Sequence, residues 1–475
     1  MVKKRLSAHI GRLCICSFLL LTAVWFALAR PAAFAYEEQF HLFLFTPDYF
    51  LESLRYPGGA ANWLAELFTQ FYFQPILGAF MMIAVYAMLT ELSKRLIPVV
   101  ALFCLCKLSL QLPCALLIAL AIYHIYINAV PQKTMWQFIL LLILIPVTYY
   151  LSGCGVFVFL LCVLLNPATA KMPVYAKIVS LIYCLLIPWL ATYIFAYPTD
   201  RLFLGINDMT YTGNIKWTYI AVLLAFPLTD IAGRWKVLQQ KWFTIPCSLA
   251  VAVTAVIVIR NTIRPEQEEI FAYDQMARYG QWDELIARAS HSPSRHPLLL
   301  IPQNLALAER GLLHSHLDQY PQQGVYGLLC DTGQERIAPF CAIEAYYHIG
   351  MTETAKRAAF ELQESIPSHR KSGRCMVMLA KTNIIGDNLQ TAKKYLTLLT
   401  HSLYYSRWAA SALALIENGT VDQAAEFATM RTHQIQSDDM VFFDETGRWL
   451  ETLCQKDPTN VVASEYLYAW KQLTK

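Results

Sequence analysis

The chain has 475 residues, of which 56% are hydrophobic and only 15% are charged, whereas about 25% of the residues in a typical globular domain are charged. This composition excludes an ordinary water-soluble protein, and the length allows two or three domains. Residues 1–261 contain 18 Lys and Arg against 9 Asp and Glu, and residues 262–475 contain 20 against 25. We therefore predict an all-α protein with a transmembrane helical domain at 1–261 and a water-soluble domain at 262–475. The second half has no basic stripe, which argues against nucleic acid as a partner.

The first apolar stretch, residues 12–30, has two interpretations. A basic head, an apolar body and the Ala33-x-Ala35 pattern are typical of a cleaved signal peptide. The length of the apolar body and the charge of Arg30 instead favour an uncleaved first span. Either interpretation places Tyr36 and the following residues outside the membrane.

The remaining apolar segments bring the prediction to about nine spans, because a helix needs about 20 apolar residues to cross the hydrocarbon core. The segments 97–130 and 136–166 are each predicted as a hairpin of two spans or as one long tilted helix. The predicted spans are residues 12–30, 75–92, 97–110, 113–130, 136–151, 154–166, 177–197, 217–231 and 243–260.

The distribution of Lys and Arg predicts the orientation, because cytoplasmic loops of membrane proteins carry an excess of these residues. With the N-terminus inside, residues 36–74, 198–216 and everything after Arg260 lie outside. In a bacterium, this is an inner-membrane protein with a periplasmic C-terminal domain. The inner segments then hold Lys3, Lys4, Arg5, Arg12, Lys94, Arg95, Lys133, Lys171, Lys177, Arg234, Lys236 and Lys241, and the outer segments hold Arg55, Lys107, Arg201 and Lys216.

The outer loop at 36–74 is rich in aromatic residues that are interrupted by carboxylates. This mixture predicts amphipathic helices lying in the membrane interface. The sequence Pro57-Gly58-Gly59 is expected to break them.

Residues 262–475 contain four similar stretches in which a helix ends at a glycine and a second amphipathic helix follows. Glycine suits a helix end because it adopts left-handed backbone angles without strain. The pattern resembles the tetratricopeptide-type repeat, whose period is about 34 residues; the alternative is an irregular α-helical bundle. Stacked repeats form a concave surface, which predicts a protein or peptide partner. The hinge glycines are Gly280, Gly350, Gly386 and Gly419, with a weaker candidate at Gly311.

The carboxylate pair Glu37-Glu38 follows directly on the first span. This arrangement resembles the GT-C membrane glycosyltransferases. The resemblance implies that Glu37 or Glu38 is the catalytic base or a ligand of a divalent metal, that the donor is a lipid-linked sugar, and that Arg201 and Lys216 bind its phosphate. The alternative is that Glu37 and Glu38 only mark the end of the first span, and that Arg201 and Lys216 are ordinary loop cations.

A second resemblance covers most of the chain. The stretches EEQFHLFLFTPDYFLE and PGGAANWLAELFTQFYFQP, with the later Gly153-Cys154-Gly155 hairpin, resemble an uncharacterised multi-pass membrane family of Bacteroidetes-type bacteria. That family implies the architecture and leaves the activity open. Two functions therefore stand: a transferase, or a non-catalytic scaffold that binds membrane lipids through its spans and recruits envelope partners through its repeats. Among 13 cysteines, Cys330 and Cys341 are the nearest pair outside the spans, and sequence does not decide whether they form a disulfide.

Overall fold

In the part of the chain that the computed structural model describes, all regular secondary structure is helical apart from an isolated bridge between Gln323 and Val325. The chain divides into two compact units. Unit 1 consists of Met1–Glu38 and Thr46–Arg264, and unit 2 of Gln39–Phe45 and Pro265–Lys475. The described residues are 17, 20–94, 96–129, 133–205, 217–232, 253, 257, 260, 264–330, 338–366, 370–435 and 443–475.

Unit 1 is a helix bundle in which α7 packs against α4, α5, α8 and α9. Its large buried side chains include Tyr126, Tyr149 and Phe159, which belong to one apolar core. The helices are α1 (Leu20–Ala29), α2 (Pro31–Glu38), α3 (Pro47–Ser53), α4 (Gly59–Thr69), α5 (Pro75–Ser93), α6 (Leu96–Cys106), α7 (Gln111–Ala129), α8 (Thr134–Ser152), α9 (Gly155–Leu165), α10 (Val174–Ala191), α11 (Thr199–Leu204) and α12 (Trp217–Ala232), with a 3₁₀ turn at Gln70–Phe73.

Four of these helices, α5, α7, α8 and α10, are apolar and long enough to cross a membrane. Three shorter apolar stretches, Leu20–Ala29, Gly155–Leu165 and Tyr219–Thr229, fall below that length. The predicted span at 243–260 lies almost wholly outside the described residues. These helices indicate a membrane protein, and the number nine remains a prediction.

The two segments for which the sequence allowed one long helix each contain two helices. The chain leaves α6 at Lys107, whose φ is +55°, and resumes at Gln111. It leaves α8 at Gly153 and turns directly into α9, which packs against α8. Buried tyrosine hydroxyls bind carbonyl groups at the ends of short helices or in the breaks between helices: Tyr72 donates to the Leu108 oxygen and Tyr149 to the Leu202 oxygen, both at 2.8 Å. These bonds matter because water cannot satisfy backbone groups inside a bilayer.

Three glycines bring the start of α4, the α8–α9 turn and the end of α11 into contact. Gly58, Gly153 and Gly205 all have positive φ, and a Cβ atom at Gly58 would lie 1.5 Å from the Gly205 oxygen. Two backbone hydrogen bonds complete the junction. The Gly58 amide donates to the Tyr150 carbonyl and the Cys154 amide donates to the Leu204 carbonyl, both at 2.8 Å. The glycines are therefore needed both for their backbone angles and for the close approach of the chains.

Replacing Gly58 by alanine should prevent unit 1 from folding normally, because the new Cβ overlaps backbone atoms that cannot rotate away. Gly419→Ala is the matched control, since Gly419 also has positive φ but open space around it. The control should lower the free energy of unfolding by only about 1–2 kcal/mol, the cost of placing alanine at left-handed backbone angles. The measurement is the yield and melting temperature of the full-length protein in detergent. Equal behaviour of the two variants would show that the junction is not closely packed.

Unit 2 contains a run of helices in which each packs against the next from α17 to α21, while the last helix, α24, returns to pack against α15, α16 and α17. Its helices are α13 (Pro265–Arg278), α14 (Trp282–His291), α15 (Pro297–Glu309), α16 (Leu313–His316), α17 (Ala338–Ile349), α18 (Thr352–Ser365), α19 (Gly373–Ile385), α20 (Leu389–Thr400), α21 (Ser406–Glu417), α22 (Ala425–His433), α23 (Thr446–Lys456) and α24 (Val461–Leu473).

The predicted hinge glycines lie between helices, and all but one have left-handed backbone angles. Gly280, Gly311, Gly350 and Gly419 have φ between +64° and +102°. At the remaining hinge, Gly386 has φ −76° and the left-handed residue is Asp387 at +58°. The helix therefore ends at Gly386 as predicted, but the left-handed angle falls on the next residue, where an aspartate tolerates it.

Candidate functional site

The segment Gln39–Phe45 is the feature of unit 2 that sequence analysis did not anticipate. The prediction of interfacial amphipathic helices through 36–74 is wrong here, because none of these seven residues is helical and six of them are buried. The segment belongs to unit 2, although it lies between two stretches of unit 1 in the chain. Helices resume only at Pro47, after Thr46 caps α3.

Unit 2 binds this segment through both backbone and side chains. The Leu42 amide donates to the Lys371 carbonyl at 2.8 Å, and the Phe45 amide donates to the His401 carbonyl at 2.9 Å. Side chains add a ring contact between Phe40 and Phe340, with centroids 5.5 Å apart. A helical domain thus holds a non-helical peptide of its own chain, as peptide-binding domains hold a ligand.

The centre of this binding site is Arg374 on α19, which is only 3% exposed. Its Nη1 and Nη2 atoms donate to the two carboxylate oxygens of Asp274 at 2.7 and 3.1 Å. Its Nε and Nη2 atoms donate to Glu344 at 3.1 and 2.9 Å. The remaining contact goes from Nη1 to the Gln39 amide oxygen at 3.0 Å. All five N–H groups of the guanidinium thus have an acceptor within 3.1 Å.

Electrostatics explain why this charge can be buried. Burial opposes ionisation of Arg374, but the carboxylates of Asp274 and Glu344 outweigh it and raise its pKa. Burial likewise would raise the pKa of Glu344, yet the charges of Arg374, His348 and Lys381 outweigh it, so the pKa of Glu344 lies below its ordinary value. The guanidinium also lies over the Phe340 ring, 4.7 Å from its centroid. Arg374 and Glu344 are therefore both ionised and paired at neutral pH.

This arrangement suits an anchor better than a reaction centre. Every guanidinium donor is already used, so none remains to bind a substrate. The nearby Cys341 thiol donates to Asp274 at 3.7 Å, and burial, with the Asp274 charge added, raises its pKa well above the ordinary value, which keeps it protonated and unreactive. Cys330 donates to the Ala338 carbonyl instead of bonding to Cys341.

The sequence does carry a signal for this cluster. Arg374, Asp274 and Glu344 are isolated charges within the apolar stretches GRCMVMLA, IFAYDQMA and FCAIEAYY. A charge on the buried face of a helix is expected to have a charged partner. The pattern does not identify the partner, and the separation of 335 residues between Gln39 and Arg374 puts their contact beyond any local rule.

The predicted catalytic residues Glu37 and Glu38 form the last turn of α2, immediately before the bound segment. Glu38 is 3% exposed and Glu37 is half-buried. Helix α2 packs against the turn Gln70–Phe73 and against α5. There, burial raises the pKa of Tyr72, and the Glu37 charge raises it further. Carboxylates at a helix C-terminus interact unfavourably with the helix dipole.

The predicted phosphate-binding residues cannot both be placed. Arg201 is half-buried on α11, which packs against α10, whereas Lys216 lies outside the described residues. The glutamates and Arg201 are thus held by different sets of packed helices. For the predicted divalent metal, the described residues contain no group of three or more His, Cys, Asp or Glu side chains placed to hold an ion.

Replacing Arg374 by methionine should destabilise unit 2 by about 3–5 kcal/mol, because it leaves two buried carboxylates without their cation. Arg288→Met is the matched control: Arg288 makes a similar two-bond pair with Glu269 but is exposed, so its loss should cost at most about 1 kcal/mol. The measurement is the urea concentration at which unit 2 of the full-length chain becomes sensitive to protease. Similar midpoints for both variants would contradict the anchoring role of Arg374.

Acidification should weaken the same cluster. Because the folded-state pKa of Glu344 lies below the ordinary value of 4.5, its stabilising contribution is complete above that pH and is lost as the pH falls through the folded-state value. Glu344→Gln should lower the urea concentration at which unit 2 becomes sensitive to protease at pH 7. That concentration should then fall less on acidification than it does in the wild type. The exposed Glu417→Gln control should keep the wild-type pH dependence. If the urea midpoint of Glu344→Gln fell as steeply with acid as that of the wild type, Glu344 would not be the source of the acid sensitivity.

Comparisons with known proteins place the chain in a family without assigning a chemistry. No curated protein and no solved structure matches it. The sequence matches the family described as "Family of unknown function (DUF6057)" over residues 6–475, which is nearly the whole chain. The protein therefore belongs to the DUF6057 family.

Proposed function

We propose that this protein is a non-catalytic scaffold of the bacterial cell envelope, anchored by its apolar helices and recruiting envelope proteins through unit 2. The observation that carries the proposal is the non-helical segment Gln39–Phe45, held in unit 2 by backbone bonds and by Arg374. A domain of packed helices that accommodates a non-helical peptide in this way has the structural means to bind protein partners. Its buried polar cluster around Arg374 serves this attachment and leaves no guanidinium donor for a substrate.

The proposal includes a topology. The Lys and Arg distribution supports an inner-membrane protein of about nine spans with the N-terminus inside and unit 2 in the periplasm. The neighbour-to-neighbour packing of α17 to α21 supports a tetratricopeptide-like repeat region. Together with the resemblance to multi-pass proteins of Bacteroidetes-type bacteria, this makes an envelope protein the partner we expect.

A GT-C-like glycosyltransferase is the second candidate, and the buried carboxylate of Glu38 at the end of α2 favours it. In that reaction Glu37 or Glu38 accepts the proton of an acceptor hydroxyl. The hydroxyl oxygen forms a bond to the anomeric carbon of the donor sugar, and the bond between that carbon and the lipid phosphate breaks. Arg201 and Lys216 then stabilise the departing phosphate.

One complementation experiment separates the two functions. A strain lacking the protein is supplied with wild type, with Glu37→Gln combined with Glu38→Gln, with Arg374→Met, or with Arg288→Met. The scaffold predicts that the double glutamine variant and Arg288→Met retain the wild-type set of in-cell cross-linked partners and the wild-type envelope glycans. Arg374→Met should lose the partners, because its binding domain is destabilised. The measurements are quantitative proteomics of cross-linked complexes and analysis of glycans and lipid-linked sugars.

The opposite result would identify the enzyme. If the double glutamine variant is present at normal amount but accumulates a lipid-linked sugar or loses a glycan, the scaffold proposal is wrong. If Arg374→Met retains every partner while unit 2 is demonstrably unfolded, unit 2 is not the recruiting domain. Immunoblots of the membrane fraction report the amount of each variant.

A further inference from the structure

Unit 1 contains an apolar cavity of about 350 Å³ bounded by α9, α10, α11 and α12. Its described lining side chains are aliphatic, aromatic or cysteine, and they present no polar surface to the cavity. Apolar cavities of this kind exclude water and bind apolar molecules. The volume is within the range of small-molecule sites in proteins.

The mouth of the cavity identifies the phase from which a ligand enters. Leu160 and Val158 of α9 are buried at its wall, whereas Leu181 and Leu185 of α10 line it and are 42% and 50% exposed. Helix α10 is one of the four helices long enough to cross a membrane. Its other exposed residues are also large and apolar: Val174, Tyr175, Ile178, Val179, Ile182, Leu186, Trp189 and Leu190. The cavity therefore opens on the apolar surface of α10, which is compatible with the hydrocarbon core of a membrane.

A cation lies on a helix that lines the cavity. Phe203 and Leu204 of α11 contribute to the wall, and Arg201 precedes Leu204 by three residues. Residues three apart are neighbours on a helix surface. Arg201 is half-buried, so the residue keeps part of its surface exposed. A lipid with its chain in the cavity would thus carry its headgroup close to a positive charge.

We propose that this cavity binds one hydrocarbon chain of an anionic membrane phospholipid, with the lipid phosphate paired to Arg201. The apolar wall fixes the chain, and guanidinium–phosphate bonding selects the headgroup. The site rests on the membrane location of unit 1 and is compatible with the scaffold, whereas the transferase would use the same Arg201 for the donor phosphate.

The test is photolabelling of the full-length protein in detergent with phosphatidylglycerol that carries a diazirine in its acyl chain. Phosphatidylethanolamine with the same chain is the headgroup control. Labelling by phosphatidylglycerol should saturate at one lipid per chain and map to buried wall residues such as Leu160 and Cys184. Ile182, on the exposed part of α10 and outside the wall, reports non-specific labelling.

Two variants separate the chain from the headgroup. Leu185→Trp fills the mouth and should reduce saturable labelling about tenfold, the effect of excluding about two methylenes from apolar burial. Leu186→Trp is the matched control, because Leu186 is equally apolar and exposed but does not line the cavity. Arg201→Gln should leave labelling of the wall in place and reduce the preference for phosphatidylglycerol about fivefold, the effect of one cation at an anionic lipid surface.

Each outcome decides a part of the proposal. Label that is found only on outward residues such as Ile182, or equal loss in Leu185→Trp and Leu186→Trp, overturns the cavity site. Equal labelling of the wild type by both lipids, or an unchanged preference in Arg201→Gln, overturns the role of Arg201. Because the position of the label in the wild type is itself a test, a variant that fails to fold does not remove it. Absence of label from all of unit 1 would instead contradict its membrane location.

Discussion

The structure of unit 2 depends on one buried guanidinium. Arg374 connects Asp274 on α13, Glu344 on α17 and Gln39 of the segment Gln39–Phe45, and its ring contact with Phe340 adds a second link to α17. Burying a charge is costly unless it is paired and its hydrogen bonds are satisfied. Here every guanidinium donor has an acceptor. Because the cluster is buried, water could not replace the Gln39 oxygen as the acceptor for Arg374 Nη1. The cost of an unpaired buried donor therefore makes the attachment of Gln39 specific.

This attachment has a consequence for how the chain is organised. Residues up to Glu38 belong to unit 1, Gln39–Phe45 to unit 2, Thr46–Arg264 to unit 1 again, and Pro265 onward to unit 2. The segment precedes its binding site by more than 300 residues, so it is synthesised long before the helices that hold it. Its contacts are therefore among the last that folding can complete.

Composition and periodicity predict the local features of the fold. The all-helical character, the presence of apolar helices long enough to cross a membrane and the glycine hinges at Gly280, Gly350 and Gly419 follow from local chemistry and agree with the structure. The hinge at Gly386 differs because the neighbouring Asp387 adopts the left-handed angle. The segment Gln39–Phe45 could not be predicted, since its aromatic residues suit a membrane interface as well as a protein core. Its partners are distant in sequence and are defined only when α13, α17 and α19 pack together.

Hydrogen–deuterium exchange of the full-length protein in lipid nanodiscs tests the account most directly. The amides of Leu42 and Phe45 donate to carbonyls of unit 2, and amides in such bonds exchange only when the structure opens. We expect both to exchange as slowly as the helix α19 that carries Arg374, and to become fast in Gln39→Leu combined with Phe40→Ala while α19 stays protected. Exchange of residues 39–45 at the rate of an unstructured peptide in the wild type would contradict the account.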